Sequence, residues 1–182
     1  YSGGTVIQNG ILSLLNVNAA GSGEIVNKSA LKLLIRDDQT FTNVLSSFGL
    51  LEKYNEGIVT LTGAGSSQGD VRINAGGLIF AQGDTFNTNS FYLGDTVSLS
   101  VIDNTVLNIT GDLAINYTST TNLEVGSTNP VISAGTATLG GVLNITGIND
   151  VITATKASDL AANQTTLIHT TNGITDDFAS ID

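Results

Sequence analysis

The chain contains no cysteine, no methionine and no tryptophan, and a single proline in 182 residues. Without cysteine there is no disulfide framework, no thiolate nucleophile and no Cys-based zinc site. Basic residues are scarce as well: 6 Lys and Arg stand against 16 Asp and Glu, a formal net charge of −10. Nucleic acid is excluded, because binding it takes a cationic stripe that displaces counterions, and scattered basic residues do not make one. Anionic membrane surfaces are excluded on the same ground. No apolar run approaches the ~20 residues that span a bilayer. The first residue is Tyr1, with neither Met nor a signal sequence, so the chain is expected to be a fragment of something longer.

What the chain does have is a 41% apolar fraction and a mean hydropathy of +0.22, well outside the disordered range. Ser, Thr and Asn coat the surface where most proteins use Lys and Glu, and Gly occurs 21 times. Thr favours strands, whereas Asn and Gly tolerate turns. The apolar residues fall in alternating triplets such as Leu12-Ser13-Leu14, Leu31-Lys32-Leu33, Val59-Thr60-Leu61, Val71-Arg72-Ile73, Leu78-Ile79-Phe80, Leu107-Asn108-Ile109 and Leu143-Asn144-Ile145. Period-two alternation marks strands with one buried face. Turn signals bound them, among them Asn9-Gly10, Gly63-Ala64-Gly65 and Gly140-Gly141.

The intervals are more informative. Leu12 to Leu31, Val59 to Leu78 and Leu78 to Val97 are equally spaced, and Leu123 to Leu143 is nearly the same. A repeat of about 20 residues holding two or three short strands is what a solenoid of stacked rungs requires. Strands this short also suit an antiparallel sandwich, but a sandwich has no need of a recurring interval. The reading is an all-β, single-stranded parallel solenoid of roughly eight or nine rungs. Two intervals are longer, those from Leu31 to Val59 and from Val97 to Leu123. Phe41, Val44, Leu45, Phe48 and Leu51 follow helical spacing after Asp37-Asp38, so an inserted loop or short helix is expected over 36–56.

The stretch from Phe41 to Leu78 resembles the passenger-associated repeat of bacterial autotransporters. Lys53, Gly57, Thr60, Leu61, Thr62, Gly63, Gly69, Gly76 and Leu78 fall on its pattern. Asn55 stands where that family usually has Gly, and Ser67 where it has Tyr. Nearer the C-terminus, 139–145, 166–174 and 178–181 resemble the end of such passengers, with Asp176 at a position usually Gly. The resemblance implies a right-handed β-helix over 1–150, closed by a hairpin cap over 151–182 known as the autochaperone region. It further implies a non-enzymatic segment displayed at a Gram-negative cell surface and anchored through the outer membrane by a translocator barrel outside this chain. Its final rungs would nucleate folding during export and serve as a stalk for the distal passenger. Leu139, Leu143, Ile145, Leu167, Ile168 and Phe178 are the expected folding nucleus and cap. Expected partners are that barrel, the upstream rungs and a host surface or cytoskeletal protein bound in adhesion or virulence.

The chemistry-bearing residues give little sign of catalysis. His169 is the only histidine, with no partner to orient it. Asp37-Asp38 and Asp176-Asp177 are adjacent, so on a strand each pair points to opposite faces. Lys32 and Arg72 lie between apolar neighbours and point outward, the arrangement by which some β-helix lyases and hydrolases line a glycan groove. A groove arginine or three convergent carboxylates in the structure would speak for that alternative. No calcium-binding nonapeptide and no phosphate loop occurs, and no cofactor or metal is expected. Asn108 and Asn144, each in an Asn-x-Thr triplet, are placed on outward strand positions.

Overall fold

A computed structural model describes residues 2–126, 131–147 and 166–181. The chain winds into an all-β parallel solenoid of about seven turns, with three short strands per turn. One wall begins with β1 (Thr5–Ile7), β3 (Ile25–Asn27) and β6 (Leu45–Ser46). It continues, through a bridge from Ser67 to Asn87, into β11 (Thr85–Thr88), β14 (Val106–Ile109), β17 (Ile132–Ala134) and β20 (Ile168–Thr170). The second wall is an unbroken 8-stranded sheet. It stacks β2 (Ile11–Leu14), β4 (Ala30–Leu34), β7 (Leu50–Tyr54), β9 (Asp70–Ile73), β12 (Ser90–Leu93), β15 (Asp112–Ile115), β18 (Thr136–Thr138) and β21 (Ile174–Thr175). The third stacks β5 (Gln39–Phe41), β8 (Ile58–Leu61), β10 (Gly77–Phe80), β13 (Ser98–Val101), β16 (Thr120–Glu124), β19 (Val142–Thr146) and β22 (Ser180–Ile181). A 3-10 turn, Val17–Ala20, occupies the third wall of the first rung.

The alternation read from the sequence places one residue of each pair inside. Leu31, Leu51, Val71, Phe91 and Leu113 stack in register along the second wall, and Phe41, Leu61, Phe80 and Val101 along the third. All of them are buried; each such side chain taken from water stabilises the fold by roughly 1.5–3 kcal/mol. Phe80 meets Phe86 and Phe91 edge-to-face, with centroids 4.7 and 5.8 Å apart. That geometry sets the positive ring edge against the negative face. Outside, uncharged amides bridge neighbouring rungs: Asn108 Nδ2 donates to Asn87 Oδ1 at 2.8 Å, and Asn144 Nδ2 to Asn122 Oδ1 at 2.8 Å. Both asparagines expected on outward positions are there.

One reading needs correction and another is not confirmed. Residues 36–56 hold neither an inserted loop nor a helix, but β5, β6 and β7 of ordinary rungs. Leu31 and Val59 lie on different walls, so their separation is no rung length. Leu31 pairs with Leu51 on the second wall, while Val59 sits between Gln39 and Leu78 on the third. The helical spacing there is a coincidence of corners, because Val44 and Phe48 are exposed while Phe41, Leu45 and Leu51 face the core. Likewise Leu78 pairs with Leu99, not Val97, and Leu123 with Ile145. The hairpin expected over 151–182 does not appear among the described residues. There β20, β21 and β22 continue the coil by parallel pairing with β17, β18 and β19, while 148–165, including the boundary at 150, lie outside the described residues.

One inner position is polar without compensation. Thr121, between Leu99 and Leu143 in the stack, is fully buried and its Oγ1 has no hydrogen-bond partner among the described residues. Burying an unpaired hydroxyl costs about 1–3 kcal/mol. Replacing Thr121 with the near-isosteric Val is expected to raise stability by about 1 kcal/mol, read as a higher urea midpoint with an unchanged slope.

Candidate functional site

Two clusters depart from the pattern of apolar inside and uncharged polar outside, and both lie on the second wall. The first is internal. Lys53 occupies the inner position flanked in register by Leu33 and Ile73, and it is fully buried. Its methylene stem continues the aliphatic stack, and its Nζ reaches the corner where the chain turns toward the third wall. There it donates to the carbonyls of Tyr54 (2.7 Å) and Asn55 (2.8 Å), and at longer range to those of Ala75 (3.3 Å) and Ile35 (3.4 Å). These carbonyls come from three successive rungs, so one ammonium ties three turns together.

The corner explains why the carbonyls need it. Asn55 turns with φ 64°, and at the equivalent corner of later rungs Gly76 (φ 70°), Thr96 (φ 54°), Gly141 (φ 71°) and Asp176 (φ 61°) do the same. A left-handed residue reverses the peptide plane and takes its carbonyl out of the ladder. Asn55 and Asp176, the two departures from glycine noted in the sequence, therefore meet the backbone requirement that glycine would meet. Gly57 answers a different demand: a Cβ there would stand 2.7 Å from the Arg36 carbonyl carbon of the rung before.

Burial pushes the Lys53 ammonium down from 10.5 to about 8, opposed by the attraction of Glu56 and Asp38. Asp38 is itself engaged, its Oδ1 accepting from the Ile58 amide at 2.8 Å. Asp177 Oδ1 accepts locally, from the amide of the next residue, Phe178. One member of each adjacent acidic pair is thus engaged with backbone, Asp38 across rungs and Asp177 within its own turn.

The second cluster is external. Lys32, Glu52, Arg72 and Tyr92 stand in register on four successive strands, pointing outward as the sequence indicated for Lys32 and Arg72. Lys32 Nζ is 3.2 Å from Glu52 Oε2 and 5.3 Å from the Tyr54 ring centroid, and Tyr54 donates its hydroxyl to Glu52 Oε1 at 3.1 Å. Burial and the Glu52 hydrogen bond, the larger cause first, raise the Tyr54 pKa above 10.0. Arg72, one strand further along, makes no hydrogen bond or ion pair among the described residues. Around it and Tyr92 the surface forms a depression that includes Asp70, Asn74 and Asp112. Arg72 thus lines a depression whose other lining residues include two carboxylates.

The residues expected to form the nucleus and cap lie together at the C-terminal end. Leu139 and Leu143 are in the core, and Ile145, Leu167, Ile168 and Phe178 pack against it half-buried. His169 is exposed on the first wall, beside Ser133 in register. Among the described residues no group of three or more His, Cys, Asp or Glu could hold a metal ion.

Deleting the lysine head isolates its role. In Lys53→Met, the carbonyls of Tyr54, Asn55 and Ala75 lose a donor at about 1–3 kcal/mol each, against roughly 3 kcal/mol of relieved ammonium desolvation. The expected net loss is about 2 kcal/mol near pH 7, by chemical denaturation. Below pH 8 the proton is bound in both folded and unfolded chains. From pH 8 toward 10 the unfolded chain holds a proton that the folded one has released, so the native protein gains about 2 kcal/mol that Lys53→Met does not. Above pH 10 the raised Tyr54 acts oppositely, because the unfolded chain ionises first.

Comparison of the chain with protein-family models, with curated proteins and with solved structures finds no match.

Proposed function

We propose that this chain is a non-enzymatic structural segment of a secreted passenger of the autotransporter kind. Its C-terminal rungs template the winding of the rest during export across an outer membrane, and the assembled coil is a stalk for a distal passenger. The observation that supports this reading most directly is the unbroken 8-stranded parallel wall, in which each strand pairs only with the rungs before and after it. In such an array stability is a sum of neighbouring interfaces and folding propagates from whichever rungs form first. Adding a rung to a formed template closes a loop of about 20 residues, a modest entropic cost, whereas the first rungs must form together. Placement at a bacterial surface, and partnership with a translocator barrel and upstream rungs, rest on the resemblance of Lys53, Gly57, Thr60–Gly63, Gly69, Gly76 and Leu78 and of the C-terminal segments.

A second reading, a surface that contacts a host protein or glycan, is favoured by the charged and aromatic stripe of Lys32, Glu52, Arg72 and Tyr92 on the second wall. A glycan-cleaving enzyme is the weaker form of that reading, since Asp70 and Asp112 are each already engaged by a neighbouring side chain.

The order of folding tests the template role. In pulse-labelled hydrogen exchange during refolding of the whole chain, amides of Val142–Thr146 and Ile168–Thr170 are expected to gain protection before those of Thr5–Ile7 and Ile25–Asn27. Leu143→Ala should slow refolding about tenfold, and Leu31→Ala should mainly hasten unfolding. The reverse order of protection would remove the template role.

A further inference from the structure

The outer stripe opens, around Arg72 and Tyr92, into a shallow depression of about 400 Å³. We infer that this depression binds an uncharged oligosaccharide, with the Tyr92 ring as its platform. The inference is independent of the passenger reading. Tyr92 is 43% exposed and lies directly opposite Arg72 in the ladder. The guanidinium has no hydrogen-bond or ion-pair partner among the described residues. Neither has the buried amide nitrogen of Asn74, a residue that lines the same depression. The depression is therefore offered one unused donor group, the Arg72 guanidinium, while the Asn74 nitrogen is closed off from solvent.

Acceptors flank the guanidinium. Asp70 takes a hydrogen bond at Oδ1 from Asn89 Nδ2 (2.9 Å), and Asp112 at Oδ1 from Thr136 Oγ1 (2.5 Å). The second oxygen of each carboxylate has no partner among the described residues. Ligand hydroxyls can accept from Arg72 and donate to Asp70 and Asp112, while the C–H face of a pyranose covers the aromatic ring. An anion would meet two carboxylates against one guanidinium, whereas uncharged hydroxyls can pair with all three groups. A peptide cannot extend the wall here, because β9 and β12 are already paired on both sides.

The adjoining hollow extends the strip. It shares Asp70 and includes Phe48, which is 76% exposed, together with Leu50 and Asn89. The strip thus crosses from β7 to β15, three rung steps of ~4.8 Å each, which fits an oligosaccharide better than a single sugar.

The test is a titration of the whole ¹⁵N-labelled chain with cellotetraose, mannotetraose and galactotetraose, and with tetragalacturonate as the charged counterpart. Saturable shifts are expected at Arg72, Asn74 and Tyr92 with at least one uncharged tetrasaccharide. Tyr92→Ala and Arg72→Ala should each weaken that binding about tenfold, Tyr92→Phe should retain it, and Thr175→Ala at the far end should leave it unchanged. Both tested side chains project outward, so an unchanged circular dichroism spectrum accompanies the loss. Absence of saturation with all three uncharged probes, equal binding by Tyr92→Ala, or tighter binding of tetragalacturonate would overturn the inference.

Discussion

Each turn must bring the backbone back to within one strand spacing, ~4.8 Å, of where it lay a turn earlier. From that closure the rest follows. Residues with the same position in successive turns are forced into contact, so Leu31, Leu51 and Val71 become a single column and not three separate contacts. A polar side chain admitted to such a column has no water and two apolar neighbours. Lys53 survives there because its head reaches acceptors that the corners leave exposed to the interior, whereas Thr121 reaches none. The left-handed corner residues are another face of the same requirement, since a tight reversal helps three straight walls enclose so narrow a core.

Much of this was legible in the sequence. The alternating triplets located the strands, and the intervals Leu12–Leu31 and Val59–Leu78 are true ladder partners. What the triplets do not carry is a label for the wall they belong to. Leu31 and Val59 look alike as strand residues, so their separation reads as a long loop when it is one full turn plus the step to the next wall. Helical spacing at Phe41, Val44, Leu45, Phe48 and Leu51 misleads for a related reason: a corner every few residues samples inward and outward positions with a period close to that of a helix.

The candidate sites were legible in unequal measure. Outward placement of Lys32 and Arg72 follows from alternation alone. The interior position of Lys53 was also recoverable, since Leu51-Glu52-Lys53 aligns with Leu31-Lys32-Leu33 one turn before it and with Val71-Arg72-Ile73 one turn after. That alignment puts a lysine in a leucine column, a conflict between pattern and chemistry of the kind that marks a special role. Convergence of Arg72, Asn74 and Tyr92 with two aspartates was not legible, because it depends on which corner each strand enters and leaves.

Turn length is not constant along the coil. On the second wall the step grows from Leu31–Leu51 to Phe91–Leu113, again to Leu113–Ala137, and is longest from Ala137 to Ile174. Yet the strands on either side of every step remain in register, and in the steps from Leu31 to Leu113 the surplus falls between strands and leaves the walls undisturbed. The architecture is in this sense indifferent to what hangs from its edges. A vertex can accept a foreign segment as pendant material, provided the two chain ends leave it where they entered, and the scaffold can thereby acquire new surface chemistry while its interior stays the same.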